Sequence, residues 1–217
     1  ELTKDYPKCL IKINNVTLLD RQINVLKNIG IHEIYGITGF KSKKIKNNSL
    51  IKIYNYNFNK NEQLDSLFYS NKILKNDVLI IFGDTIFDEE ILSDLIKDND
   101  KDITLCVDQN WKKRYVNRID HPYEQADKVQ INKKNIVIDI GKEIDSKKAN
   151  AEFLGIMKIS REGCKIFNKE YKKIQKKHNT SKLQIHNFIN YLVKQGYKIN
   201  TNKTSKNYME IDTLNDL

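Results

Sequence analysis

Glycine and proline are scarce, with eight and two residues in a chain of 217. Collagen-like repeats and disorder driven by these two residues are therefore excluded. Cysteine is limited to Cys9, Cys106 and Cys164, an odd number, widely spaced and without a C-x-x-C pair. That is neither a disulfide framework nor a zinc ribbon, and unpaired thiols fit a reducing cytoplasm. Histidine occurs four times without zinc-ligand spacing; His121 lies in a polar loop and is a functional candidate, whereas His32, His178 and His186 read as surface or cap residues. No apolar run approaches the roughly 18 residues of a membrane span. The start of the chain shows no basic segment followed by an apolar one, so neither a signal peptide nor a membrane partner is expected.

Arginine is scarce in a different way. The formal charge is +10, but it comes from 34 lysines and only four arginines. Readers of nucleic acid rely on the planar arginine fork, so this balance argues against a nucleic-acid partner. Lysine, 26 asparagines and 31 isoleucines are spread evenly along the chain, the composition that AT-rich codons produce. A diffuse positive field attracts small anions.

What is present is an alternation of periods. Leu10 to Ile13 reads as a short β run ended by Asn14-Asn15. Thr17 can cap a helix whose stripe is Leu18, Leu19, Ile23, Leu26 and Ile29, stopped by Gly30. Ile34 to Thr38 and Leu50 to Tyr54 read as strands, and Glu62 to Leu74 as a helix. Val78 to Phe82 is a continuous apolar run, as in a buried parallel strand. Glu89 to Ile96 is predicted helical and Ile103 to Val107 extended. Val129 to Ile131 and Ile136 to Ile140 flank Asn132-Lys133-Lys134-Asn135 as a hairpin. A strand over Phe153 to Ile159 precedes two helices, near Arg161 to Lys177 and Lys182 to Gln195, and short strands end at Glu210-Ile211-Asp212. The pattern predicts one α/β domain over 1–217: a Rossmann-like three-layer sandwich with a mostly parallel, mixed central sheet and a small β-hairpin insertion.

Ligands of such sheets bind outside the carboxyl ends of the strands, which selects Gly39, Asp84, Asp108 and Asp212. In Ile80-Ile81-Phe82-Gly83-Asp84, Gly83 admits a ligand to the backbone and the carboxylate suits Mg²⁺ held with substrate phosphates. Asp84 reads equally well as a cap of the following helix. Asp212, in Glu210-Ile211-Asp212-Thr213, either caps a terminal helix or converges with Asp84 on one cation. Pro7 stiffens a loop that presents Lys8, although one lysine among so many is ordinarily a solvated group. Between Asp108 and Lys142 stand the only Trp, Trp111, and two of the four arginines, Arg114 and Arg118. Such arginines bind phosphate or carboxylate through two parallel hydrogen bonds, or pair structurally with Asp108 or Asp120. Asp98-Asn99-Asp100-Lys101-Asp102 holds two D-x-D triplets, but it precedes a strand and reads as a solvated loop.

Together these segments resemble the nucleotidyltransferases that activate sugar phosphates and related phosphoesters. The segments are Leu2-Thr3-Lys4-Asp5-Tyr6-Pro7-Lys8-Cys9-Leu10, Leu18-Leu19-Asp20-Arg21-Gln22, Thr38-Gly39-Phe40, Gly83-Asp84 and Glu210-Ile211-Asp212. The middle of the chain is similar to the cytidylyltransferases of small phosphonates and phosphoesters, through Val107-Asp108, Trp111, Arg114-Tyr115, Arg118, His121-Pro122, Ala126-Asp127-Lys128-Val129, Ile140-Gly141-Lys142 and Ala151-Glu152-Phe153-Leu154-Gly155.

The resemblance implies transfer of CMP from CTP to a small phosphorylated acceptor, by a monomer or homodimer, with Mg²⁺ as cofactor on Asp84 and Asp212. It implies catalytic roles for Lys8, Asp84, Asp212 and Lys142, and nucleotide contacts from Lys8, Thr38, Gly39, Gly83 and Asp84. It implies acceptor contacts from Asp108, Arg114, Arg118, Lys142 and Glu152. The acceptor it points to is L-glutamine phosphate, in capsule phosphoramidate synthesis; 2-aminoethylphosphonate, phosphocholine and sugar 1-phosphates are the alternatives. The family opens with a strand and a Gly-rich loop ending in Arg, which none of the eight glycines forms, so that segment is expected just before Glu1. The family also has Asn-rich residues before a Ser-Leu pair in its third helix, where this chain has Glu62-Gln63-Leu64-Asp65-Ser66-Leu67.

Overall fold

The computed structural model describes residues 3–97, 100–116, 118 and 120–217. Leu2 of the first segment, and Asp98 and Asn99 of the D-x-D run, lie outside the described residues. In chain order the strands are β1 (Lys12–Ile13), β2 (Val16–Thr17), β3 (Ile34–Thr38), β4 (Leu50–Tyr54), β5 (Val78–Ile81), β6 (Thr85–Phe87), β7 (Ile103–Asp108), β8 (Lys128–Ile131), β9 (Val137–Ile140), β10 (Ala151–Ile159), β11 (Asn200–Thr204) and β12 (Tyr208–Glu210). The helices are α1 (Leu18–Asn28), α2 (Gln63–Phe68), α3 (Glu89–Ile96), α4 (Arg161–Lys177) and α5 (Ile185–Lys194).

Local chemistry explains most boundaries. Asn14 and Asn15 both adopt positive φ, 51° and 64°, and turn β1 into β2. Thr17 Oγ1 accepts from the Asp20 amide at 3.0 Å and starts α1, and Gly30 at φ 83° ends it. The helix predicted over Glu62 to Leu74 is shorter. α2 stops at Phe68, where the Ser70 hydroxyl turns back to the Leu67 carbonyl and competes with the helical ladder.

The main sheet runs β11-β7-β10-β8-β9, with β5 also paired to β10. β11 is parallel to β7, while β10 is antiparallel to β5, β7 and β8. β5, β7, β8 and β11 thus share one direction, and β10 and β9 run against them, with the β8–β9 hairpin attached to the start of β10. All nine β10 residues are buried, which marks it as the central strand. Its amino end lies at the same sheet edge as the carboxyl ends of β5 and β7. β3 and β4 form a separate parallel pair.

Side chains alternate between two cores, giving three layers. Ile103, Leu105 and Val107 of β7 face α2, α4 and α5, with Phe153 and Met157 of β10. Cys106, Leu154 and Ile156 face α1 and α3 with Ile23, Leu26, Ile91 and Leu95. At Gly155 the β7–β10 register shifts, φ is 66°, and the Phe82 ring occupies the space a Cβ would need. Among the described residues no helix is long and apolar enough to cross a membrane.

Candidate active site

A cleft of about 410 Å³ opens at the edge where β5 ends and β10 begins. Phe82 and Asp84 reach it from the end of β5, and Glu152, Phe153 and Gly155 from the reversed strand β10. Tyr208, Glu210, Asp212 and Thr213 come from β12 and its end; Asp120, His121, Gln125 and Asp127 come from the loop after β7; and Gln63, Lys142 and Gln184 close it.

The distant carboxylates meet because β12 pairs antiparallel with β6, placing Glu210 opposite Thr85. The Ile211 amide then donates to the Asp84 carbonyl at 2.9 Å. Gln22 of α1 pins the turn before β6, its Nε2 donating to the carbonyls of Phe82 (2.9 Å) and Thr85 (2.8 Å). Asp84 does not cap α3: β6 intervenes, and Asp88 occupies the cap position. At the other end, Thr213 and Asp216 form the capping box of the last turn, so Asp212 is left to face the cleft.

Lys8 joins the two acids. Its Nζ lies 3.0 Å from Asp84 Oδ2 and also donates to Asp212 Oδ1. Burial pushes the Lys8 ammonium down, but the charges of Asp84 and Asp212 outweigh it and its pKa is raised. Burial pushes Asp212 up, and hydrogen bonds from His121 and Lys8 more than reverse this, holding the carboxyl well below the usual range. Glu210 goes the other way: burial, then repulsion by Asp84 and Asp212, raises it to about 8. Asp84 Oδ1 is buried without a hydrogen-bond partner. A buried orphan acceptor, and a carboxyl kept protonated by burial and by its acidic neighbours, are what a hard divalent cation would relieve, so this oxygen-rich set fits Mg²⁺.

The other predicted residues divide. Glu152 and Lys142 line the cleft; Lys142 is exposed and follows Gly141 at φ 156°. Asp108 and Arg114 do not line it. Arg114 holds Asp108 Oδ2 through one nitrogen (2.5 Å) and Glu152 Oε2 through the other (2.8 Å), and the Tyr115 hydroxyl also donates to Glu152. Arg118 is likewise engaged elsewhere, on Asp216 Oδ1 at 2.8 Å and the Glu210 carbonyl at 3.1 Å. These arginines take the structural role that sequence left open, because each sits between buried acceptors of the fold. Trp111 is buried against Tyr115, Ala126 and Ala149 and supports the loop that carries His121. Thr38, Gly39 and Gly83 are not cleft-lining; a Cβ on Gly39 would collide with Phe58. In the D-x-D run, Asp102 accepts from the Ser160 hydroxyl at 2.9 Å, at the opposite end of β10.

Sequence reasoning missed Glu210 as a third acid, Gln22 as the turn's anchor, and Asp120 and Asp127 as cleft carboxylates. Gln22 left a trace as a polar residue beside Leu18, Leu19, Ile23 and Leu26 on the buried stripe of α1, and Glu210 and Asp127 stood in segments that carry the family resemblance without being assigned to the site.

No family profile matches the chain. It is 23% identical, over its whole length and 91% of the relative, to the CTP:phosphoglutamine cytidylyltransferase of Campylobacter jejuni. Its structure is similar to the inositol-1-phosphate CTP transferase of T. maritima (TM-score 0.79, 19% identity, all of this chain and 84% of the other). It also resembles the CTP:phosphocholine cytidylyltransferase of Streptococcus pneumoniae (TM-score 0.65, 17% identity, 99% and 88%). The resemblance to nucleotidyltransferases therefore extends over the whole chain, and the fold is theirs.

Proposed function

We propose that this protein is a nucleotidyltransferase that moves CMP from CTP to a small phosphorylated acceptor, releasing pyrophosphate. The observation that carries this reading is the meeting of Asp84, Glu210 and Asp212 around Lys8 at the ligand edge of the sheet. In a chain of charge +10, the cleft is lined by six carboxylates and one lysine. A triphosphate enters such a cleft only as its complex with a divalent cation.

An acceptor phosphate oxygen attacks the α-phosphorus in line as the bond to the bridging oxygen breaks and pyrophosphate leaves. The acceptor is already anionic at neutral pH, so no side chain has to remove a proton. Lys8 neutralises phosphate charge, and Lys142 receives the acceptor phosphate at the open side of the cleft. Asp84 and Asp212, with Glu210 beside them, would hold Mg²⁺. When bound, Mg²⁺ offsets the negative charge that builds on the phosphate oxygens.

For the acceptor we propose L-glutamine phosphate. This rests on the whole-length relative and on Asp120 and Asp127, which suit an ammonium group better than a neutral polyol. A pyrophosphate-release screen tests it. Four nucleoside triphosphates are crossed with phosphoglutamine, 2-aminoethylphosphonate, phosphocholine, inositol 1-phosphate and glucose 1-phosphate. The expected best pair is CTP with phosphoglutamine. Release with another acceptor reassigns the substrate, and no release with any pair removes the enzymatic reading.

A further inference from the structure

Asp212 carries two oxygens with different partners. Oδ1 faces Lys8, on the side of Asp84. Oδ2 lies 2.9 Å from His121 Nδ1. The imidazole is buried, with its ring 5.9 Å from that of Tyr115. Its loop is tied to the carboxyl-terminal turn by Arg118, through Asp216 Oδ1 and the Glu210 carbonyl. The other oxygen of Asp216 accepts from the amides of Asp212 (2.9 Å) and Thr213 (2.8 Å). Asp216 thus fixes the backbone of Asp212 while His121 fixes its side chain. Without that second hold, Lys8 alone would retain the Asp212 side chain, and repulsion from Asp84 would favour rotation of its carboxylate away from the cleft.

We propose that His121 is a positioning residue for Asp212: its Nδ1–H holds Oδ2 so that Oδ1 stays aimed at the place where Asp84 and Asp212 converge. The inference rests on the reading of these carboxylates as a cation site and adds the side chain that orients it. Partners of this kind typically change metal affinity by about 10- to 100-fold when removed.

Two variants separate the hydrogen bond from the packing. His121→Asn keeps an N–H donor near the Nδ1 position, and His121→Phe keeps a ring against Tyr115 but no donor. Mn²⁺ is titrated by calorimetry into nucleotide-free protein, and kcat and KM for CTP are measured alongside. His121→Phe is expected to weaken Mn²⁺ binding about 10- to 100-fold with thermal unfolding close to wild type. His121→Asn should recover most of that affinity. Unchanged Mn²⁺ binding in His121→Phe overturns the proposal, and so does equal loss in both variants. Wild-type protein that binds no Mn²⁺ overturns the cation reading and this inference together, whereas wild-type binding with an indifferent His121→Phe sinks the inference alone.

Discussion

Two acidic groups lie at the same edge of the sheet and are treated in opposite ways by the fold. Asp108 and Glu152 share one arginine, which meets each through a separate nitrogen, and Glu152 also receives the Tyr115 hydroxyl. Asp84, Glu210 and Asp212 are three carboxylates with one ammonium, Lys8, and one imidazole. The first group is closed: Arg114, the Tyr115 hydroxyl and the Asn110 amide between them engage all four carboxylate oxygens, as buried charged groups must be engaged to persist. The second is left short of positive charge, with an orphan oxygen on Asp84 and a Glu210 carboxyl that resists ionisation. Carboxylates whose oxygens are all engaged hold structure together, whereas a buried oxygen left without a partner at the ligand edge is open to a further positive group, which is why the proposed cation is assigned to the second group.

Substitutions can break this contrast. Asp84→Asn keeps the shape but removes charge from the open group. It should lower turnover about 10³-fold while circular dichroism and unfolding temperature stay near wild type, and near-normal turnover would contradict the role given to the open group. Arg114→Ala strikes the closed group and leaves two buried carboxylates unpaired, an expected destabilisation of about 3–5 kcal/mol in urea unfolding. A loss confined to activity, with stability intact, would move Arg114 into the site.

Glu210 tests the open group through pH. Its carboxyl is raised to about 8 in the folded chain and ionises near the ordinary carboxylate range when unfolded. Its contribution to stability is therefore fully present below that range and is lost as pH rises through 8. Glu210→Gln should flatten this fall. The variant's advantage in unfolding temperature is expected to grow from pH 5 to 8.5 and to shrink when a divalent cation is added. A pH-independent difference would contradict the crowding of charge at Glu210. The smallest effect belongs to Lys142→Ala, expected to raise the acceptor KM about tenfold, the worth of one exposed charge-assisted contact, with KM for CTP unchanged. An equal rise in both would place Lys142 on the nucleotide.

The sequence by itself determined the order of elements, because periodicity and caps act within a few residues: the Thr17 cap, the Asn14-Asn15 turn, the apolar run of β5 and the Asn132 to Asn135 hairpin are all local. It also offered Asp84 and Asp212, each at a strand end, with their convergence as one of two open readings that the family resemblance favoured. Tertiary structure alone decided that they converge with Lys8, a residue 204 positions from Asp212. It also decided that β10 runs against its neighbours and brings Glu152 to the cleft, and that Arg114 and Arg118 turn to buried acceptors of the fold. Periodicity reports which face of an element is buried, but the partner of a charge depends on how elements far apart in the chain are brought together.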